Sequence, residues 1–161
     1  MEIRTYQPGD VEKIVAFNDE VLKEFGFAFS LILDRDVFDI PKYYTRRGGE
    51  YFLMVDDSDG GSGKIVGSIA VSKITRKICK LRHFYLAKEY RRKGHGKKLY
   101  SHALEFIRKA GYDEIWLSTA AKFMDAIGFY ERNGFTRAKK PLWDYTRAGV
   151  FYTLKLHSKL D

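Results

Sequence analysis

The stretch that most constrains the fold is residues 80–110, where an apolar run, a basic glycine-containing loop and a helical period follow one another. The run is Leu81-Arg82-His83-Phe84-Tyr85-Leu86, and the loop is Arg91-Arg92-Lys93-Gly94-His95-Gly96. After it, Leu99, Ala103, Leu104, Ile107 and Ala110 recur at three- and four-residue spacing, which sets them on one buried helix face. Strand, loop and helix in that order build an anion site. The first N–H groups of a helix have no internal partner, and the helix dipole favours negative charge at that end. Gly94 and Gly96 let the backbone turn those N–H groups toward a ligand, while Arg91, Arg92, Lys93, Lys97 and Lys98 add positive charge. A phosphate or pyrophosphate suits such a loop; a solvated turn before a helix is the plainer reading of the same residues.

The remaining segments say what surrounds this unit. A short strand over residues 1–6 is followed by the turn Gln7-Pro8-Gly9-Asp10, with Asp10 as N-cap. Val11, Ile14, Val15, Asn18, Val21, Leu22 and Phe25 then give one amphipathic helix that stops near Gly26. Residues 27–49 read as a loop with one short helix around residues 36–44, which Pro41 interrupts. This loop either folds over the core or forms a wall covering a substrate. Residues 50–56 and 65–75 are expected strands, joined by a turn at residues 57–64. The end of that turn resembles a P-loop tail, but Ser58 and Ile65 stand where Gly and Ser or Thr are required, and a strand comes next instead of a helix.

Residues 76–86 form the next strand and lead into the glycine loop. Gly111-Tyr112-Asp113 stops the following helix, and residues 114–118 form a short buried strand. Phe123, Ala126, Ile127 and Tyr130 mark a second helix face that ends at Asn133-Gly134. Residues 135–138 and 150–156 read as closing strands around a loop at residues 139–149 that contains Pro141, Trp143 and Tyr145. Such an order implies a mixed sheet with helices on both faces.

A net charge of +8 attracts anions, whether nucleic acid, membrane surface or a phosphorylated cofactor. Cys79 is the one cysteine, so no intrachain disulfide can form, and its apolar surroundings mark it as a small core residue. The start Met1-Glu2-Ile3-Arg4 lacks the apolar run of a signal peptide, and no stretch is long and apolar enough for a membrane span. A soluble, cytoplasmic protein with no membrane partner is the expectation. No His, Cys, Asp and Glu spacing resembles a metal site.

Two segments together carry a family resemblance: Arg91-x-x-Gly94-x-Gly96 after a strand, and Ala126-Ile127-Gly128-Phe129-Tyr130-Glu131-Arg132-Asn133-Gly134-Phe135. The chain resembles the GNAT superfamily of acetyl-CoA-dependent N-acetyltransferases over nearly its whole length. The resemblance implies one α/β domain over residues 1–161, with a mixed, mostly antiparallel central sheet of about seven strands and helices on both faces. It implies acetyl-CoA as cosubstrate, no metal, and direct attack by a primary amine, from a small molecule or a peptide, in a ternary complex. The backbone of Phe84, Tyr85 and Leu86 would pair with the pantetheine arm as an added strand. The loop Arg91, Arg92, Lys93, Gly94, His95, Gly96 and Lys97 would hold the pyrophosphate, with His95 contributing its backbone. Tyr130 matches the tyrosine that protonates the departing sulfur, as a phenol with an ordinary pKa near ~10 can.

The general base departs from the family pattern. Many members carry a glutamate where Lys80 or Ser118 stands here, and an asparagine where Phe123 stands. His83 is the nearby residue whose type suits base work, and strand alternation sets it opposite Phe84. His102 and His157 have no partner pattern. Lys80 and Ser118 keep open a second class, a catalytically inactive CoA-binding regulator. The charge keeps open a third, a nucleic-acid binder, for which no RNA-binding or helix-turn-helix motif speaks. A homodimer is left open.

Overall fold

The computed structural model describes residues 1–58, 60, 61, 63–146 and 149–157. Asp59 and Ser62 of the expected turn, and Arg147 and Ala148 of the expected loop, lie outside the described residues. Among the described residues seven strands form one sheet: β1 (Glu2–Thr5), β2 (Glu50–Asp56), β3 (Lys64–Lys73), β4 (Ile78–Leu86), β5 (Glu114–Thr119), β6 (Thr136–Ala138) and β7 (Val150–Lys155). Their spatial order is β1-β2-β3-β4-β5-β7-β6. Of the neighbouring pairs described, only β4 and β5 run parallel.

The α-helices of the described residues are α1 (Val11–Glu24), α2 (Ile40–Tyr43), α3 (His95–Lys109) and α4 (Met124–Arg132), and they cover the sheet. The faces follow from strand alternation. Tyr51 meets Tyr44, just past α2, with ring centroids 5.5 Å apart, while the next residue, Phe52, meets Phe106 of α3 at 5.7 Å. With α1 and α2 on one face and α3 and α4 on the other, β2 is covered on both sides. Tyr51, Phe52, Leu53, Met54 and Val55 are accordingly all buried. Gly67 of β3 lets α3 sit close, since a Cβ there would lie 3.1 Å from Leu86 and 3.3 Å from Leu99.

Two local expectations are corrected. Asp10 occupies the N-cap position of α1 but does not cap it. Its carboxylate instead accepts from Arg4 at 2.7 and 2.9 Å and from the Gln7 N–H, because a bidentate guanidinium competes better than a helix N–H. Pro41 opens a helix where it was expected to interrupt one: a 3-10 turn, Arg35–Phe38, precedes α2, and Pro41 lies in the first turn of α2, where its missing N–H costs nothing. Asp39 caps α2, accepting from the Lys42 N–H at 3.2 Å.

Two irregularities of β4 shape the region beside the glycine loop. Its pairing with β5 ends at Leu81↔Leu117, although β4 runs on to Leu86 and β5 to Thr119. The strands splay, and among the described residues the β5-facing edge of residues 82–86 has no strand partner. On the other edge, Tyr85 pairs Ser68 and Arg82 pairs Ala70, so β4 carries one extra residue against β3. This bulge holds His83 at φ 48°, in the left-handed region.

Candidate functional site

A cavity of about 650 Å³ opens at the splay, within the size range of small-molecule sites. Phe84, Tyr85 and Leu86 form its β4 wall, and α4 supplies Phe129 and Tyr130 opposite. The edge of β4 beyond its pairing with β5 therefore borders this cavity. Arg91, Arg92, Gly94, Gly96 and Lys97 line the other end of the same cavity. Lys93, His95 and His83 are not among its lining residues.

The backbone of the glycine loop turns sharply just before α3. Arg92 at φ 59° and Gly94 at φ 83° both adopt the left-handed region just before α3 begins at His95. The first turn of α3, which follows directly, has N–H donors without helical partners. Gly96 tells more than Gly94. A Cβ at Gly96 would meet no protein atom within 4 Å, so protein packing does not require a glycine there.

The side chains of the loop divide their duties. Arg91 is spent on the protein: it grips Glu24 at 2.8 and 3.0 Å, donates to the Leu86 carbonyl at 2.8 Å and lies over the Phe25 ring. It ties the end of α1 to the end of β4. Arg92 meets Asp125 at 3.3 Å across an exposed gap. Lys93 and Lys97 have no ion pair among the described residues, which leaves their charge to the surrounding field.

Tyr130 is 6% exposed and ringed by Phe84, Phe129, Phe135 and Tyr152 at centroid distances of 5.8 to 6.3 Å. Its hydroxyl donates to no described protein group. Burial, aided by the neighbouring Tyr85, pushes the phenol above its ordinary range, so it holds its proton at neutral pH.

A family model described as the Acetyltransferase (GNAT) family matches residues 15–135 of this chain. That span holds the splay, the loop and Tyr130. The chain belongs to the GNAT acetyltransferase family. N-acetyltransferase 8 of Homo sapiens is 31% identical over 109 residues, 66% of this chain and 48% of that protein. The chain thus spans about half the length of that relative. An acetyltransferase of the GNAT family from Staphylococcus aureus Mu50 superposes with a TM-score of 0.88 at 26% identity, covering 97% of this chain and 99% of that one. The PaiA N-acetyltransferase of Thermoplasma acidophilum, solved in complex with coenzyme A, shares the fold at a TM-score of 0.71 and 20% identity, over 96% of this chain and 98% of that one.

Lys80 and Ser118 both have structural partners in the loop after β6. Lys80 is buried and its Nζ lies 2.5 Å from Oδ2 of Asp144. Asp144 also accepts from the N–H and hydroxyl of Thr146, and Thr146 in turn meets Ser118 at 3.3 Å. The loop after β6 is thereby pinned over β4 and β5. Burial lowers the Lys80 ammonium despite its partner, whereas Lys80 and Thr146 outweigh burial and hold Asp144 below the usual carboxylate range.

His83 lies on the α1 and α2 face, 7% exposed, with Nε2 2.8 Å from Oδ2 of Asp36. The consecutive residues Arg82 and His83 both reach Asp36, which strict alternation forbids and the bulge permits. Phe123 lies in an aromatic cluster, 4.4 Å from Phe25 and 5.7 Å from Phe27, with Lys122 over Phe27. Asp36, Asp144 and Lys122 were not expected from sequence. Asp36 lies 47 residues from His83 and Asp144 lies 64 from Lys80, and no local pattern marks either partner. Among the described residues no group of three or more His, Cys, Asp or Glu is placed to hold a metal.

Proposed function

We propose that this chain transfers the acetyl group of acetyl-CoA to a primary amine by direct attack in a ternary complex. The observation that carries the reading is the continuity of one cavity, from the unpaired edge of β4 through the left-handed loop to Tyr130. Phe84, Tyr85 and Leu86 would offer backbone groups to the pantetheine arm. The N–H groups of residues 92–97 would hold the pyrophosphate, and the bare Cα of Gly96 is the feature that fits a guest pressed against the backbone. Lys93 and Lys97 would supply charge and Arg91 scaffolding. Acetyl-CoA supplies the acyl thioester; Tyr130, which holds its proton at neutral pH, would donate it to the sulfur as it leaves.

The acceptor would enter between the loop before α2 and the loop after β6, which Asp36 and Asp144 fasten to the same strand. Leu31, Ile32 and Phe38 of the first and Leu142 and Tyr145 of the second are exposed. Those side chains favour an acceptor with an apolar part beside its amine. A thiol-release assay with acetyl-CoA and an amine panel, read also by mass spectrometry, tests the reading. Amine-dependent thiol release supports it. Stabilisation by CoA without any release would instead identify the catalytically inactive CoA-binding regulator.

A further inference from the structure

A second cavity, of about 400 Å³, lies between α3, the end of α4 and the end of β7. Its walls come from Tyr100, Leu104 and Arg108, from Asn133, and from residues 154–157. Tyr100, Leu104 and Arg108 are four residues apart on α3, so they follow one another along one stripe of the helix. Leu154 on β7 and Leu156 just past it are two apart, so they share a face. Leu104, Leu154 and Leu156 are each half-buried and give the cavity its apolar lining. None of its residues lines the cavity at the splay. Aromatic rings separate the two: Tyr100 of this cavity meets Phe129 of the other edge-on at 5.6 Å, and meets Phe135 at 6.2 Å.

The charged groups here are of one sign. Arg108, Lys155 and His157 are basic, and among the described residues no acidic side chain lines the cavity. The carboxylates on the adjoining elements are engaged elsewhere. Glu105 lies 2.7 Å from Lys109, and Asp113 lies 3.2 Å from Lys77. Glu114, opposite Lys155 in the sheet, accepts from Trp116 and Thr153, and Glu131 accepts from the Tyr152 hydroxyl. Arg108 and Lys155 accordingly have no ion pair among the described residues. Arg108 also suits the negative end of the α3 dipole, a duty that Lys109 shares. Burial pushes the Tyr100 phenol up to about 12, and Arg108 is near enough to oppose that rise, which sets its charge beside the cavity wall. Asn133 brings no charge, and its Nδ2 donates to the Phe129 carbonyl at 2.8 Å.

We propose that this cavity is a second ligand site, for a carboxylate carried on an unbranched apolar tail. The carboxylate pairs with Arg108, whose guanidinium presents parallel N–H donors to such a group, and Lys155 adds charge. The tail lies against Leu104, Leu154 and Leu156. An apolar lining with a few polar groups at one end is the usual build of a small-molecule site. Both parts of the ligand are needed. A small inorganic anion would leave the leucines uncovered, and a neutral alcohol would leave the cations unanswered.

NMR titration of the ¹⁵N-labelled full chain with octanoate, with and without CoA, tests this. Saturable shifts are expected at Tyr100, Leu104, Asn133 and Leu156, with a Kd below about 1 mM, and CoA should not displace the octanoate. Octanol keeps the tail without the charge, and acetate keeps the charge without the tail; each should bind at least about tenfold more weakly. Arg108 is exposed, so R108Q should fold. It should lose about tenfold in octanoate affinity, while CoA raises its melting temperature as in the wild type. K155E, at a second exposed position, should weaken octanoate as well. Octanol binding as tightly as octanoate, or R108Q binding octanoate as the wild type does, overturns the proposal. Shifts confined to Phe84, Phe129 and Tyr130 that CoA abolishes would put the octanoate in the splay cavity and overturn it too. So would the absence of any saturable shift up to about 1 mM.

Discussion

Tyr130 is held by its ring and left free at its hydroxyl among the described residues. Its ring is enclosed by aromatic neighbours, while its hydroxyl is engaged by none of the described groups. Removing the hydroxyl alone keeps the packing. Tyr130→Phe should therefore retain the melting temperature and the KM for acetyl-CoA, while kcat falls by roughly 10²–10⁴-fold. Single-turnover measurements should accompany the steady state, since slow product release would mask the chemical step. Wild-type single-turnover rates in the variant would remove Tyr130 from the mechanism. The Lys80–Asp144 pair makes a contrasting prediction about stability. Lys80→Met leaves Asp144 buried beside an apolar side chain, and breaking a buried pair from one side costs up to about 3–5 kcal/mol. Swinging the loop outward to rehydrate Asp144 would limit that loss. The double variant K80M/D144L should recover most of it, as urea unfolding of the three proteins would reveal. Equal destabilisation by single and double changes would mean that the pair itself, not the stranded charge, carries the stability.

The strand–loop–helix unit combines two glycines with different jobs. At φ 83°, Gly94 serves the turn, so Gly94→Ala should destabilise by about 1–2 kcal/mol, the cost of left-handed backbone for a residue with a Cβ. Gly96 lies in the first turn of α3 at ordinary helical geometry with open space around it. Gly96→Ala should leave the free protein as stable or up to about 1 kcal/mol more stable, yet it should reduce the thermal shift produced by CoA, because the added methyl occupies the guest's approach. Melting curves of both variants with and without CoA separate the two effects. A full CoA shift in Gly96→Ala would show that the backbone there is not approached. The stronger variant Gly94→Glu, which sets a carboxylate in the loop, should abolish the shift altogether in a folded protein.

For the molecule as a whole, buried carboxylates tie stability to pH. Asp10, Asp36 and Asp144 each have a folded pKa below the unfolded value, through Arg4, His83 with Arg82, and Lys80 respectively. A depressed carboxylate stabilises the fold fully above its unfolded pKa, and that contribution is lost as pH falls through the folded value. The melting temperature should accordingly hold steady from neutral pH down and drop once pH falls below about 4. Asp36→Asn should lower the neutral-pH value and flatten the acid slope. An acid slope unchanged in that variant would remove Asp36 as a source of the pH dependence. The net charge of +8 acts over longer range: binding of CoA should weaken as salt rises, since Lys93 and Lys97 act through the solvent.

Sequence by itself determined the features that local chemistry dictates. Element order, the turn into α3, the glycine requirement at the loop and the tyrosine near the end of α4 all follow from periodicity, backbone conformation and short motifs. Tertiary structure decided what depends on residues far apart in the chain. The splay of β4 from β5 and the bulge at His83 are properties of strand register, which appears only when neighbouring strands pair. Asp10 looked like a cap until Arg4 on β1 came within reach, and Pro41 looked like a breaker until the 3-10 turn placed it in the first turn of a helix. Lys80 and Ser118 carried no positive meaning as letters; the loop bearing Asp144 and Thr146 gave them one. Asp36 reads in sequence as one acidic residue in a loop, and only burial against His83 and Arg82 makes it an ionised anchor. The division has a single physical cause: helix periods and turns are set by contacts a few residues apart, whereas the charge state of a buried group is set by whichever distant side chains the fold brings to it.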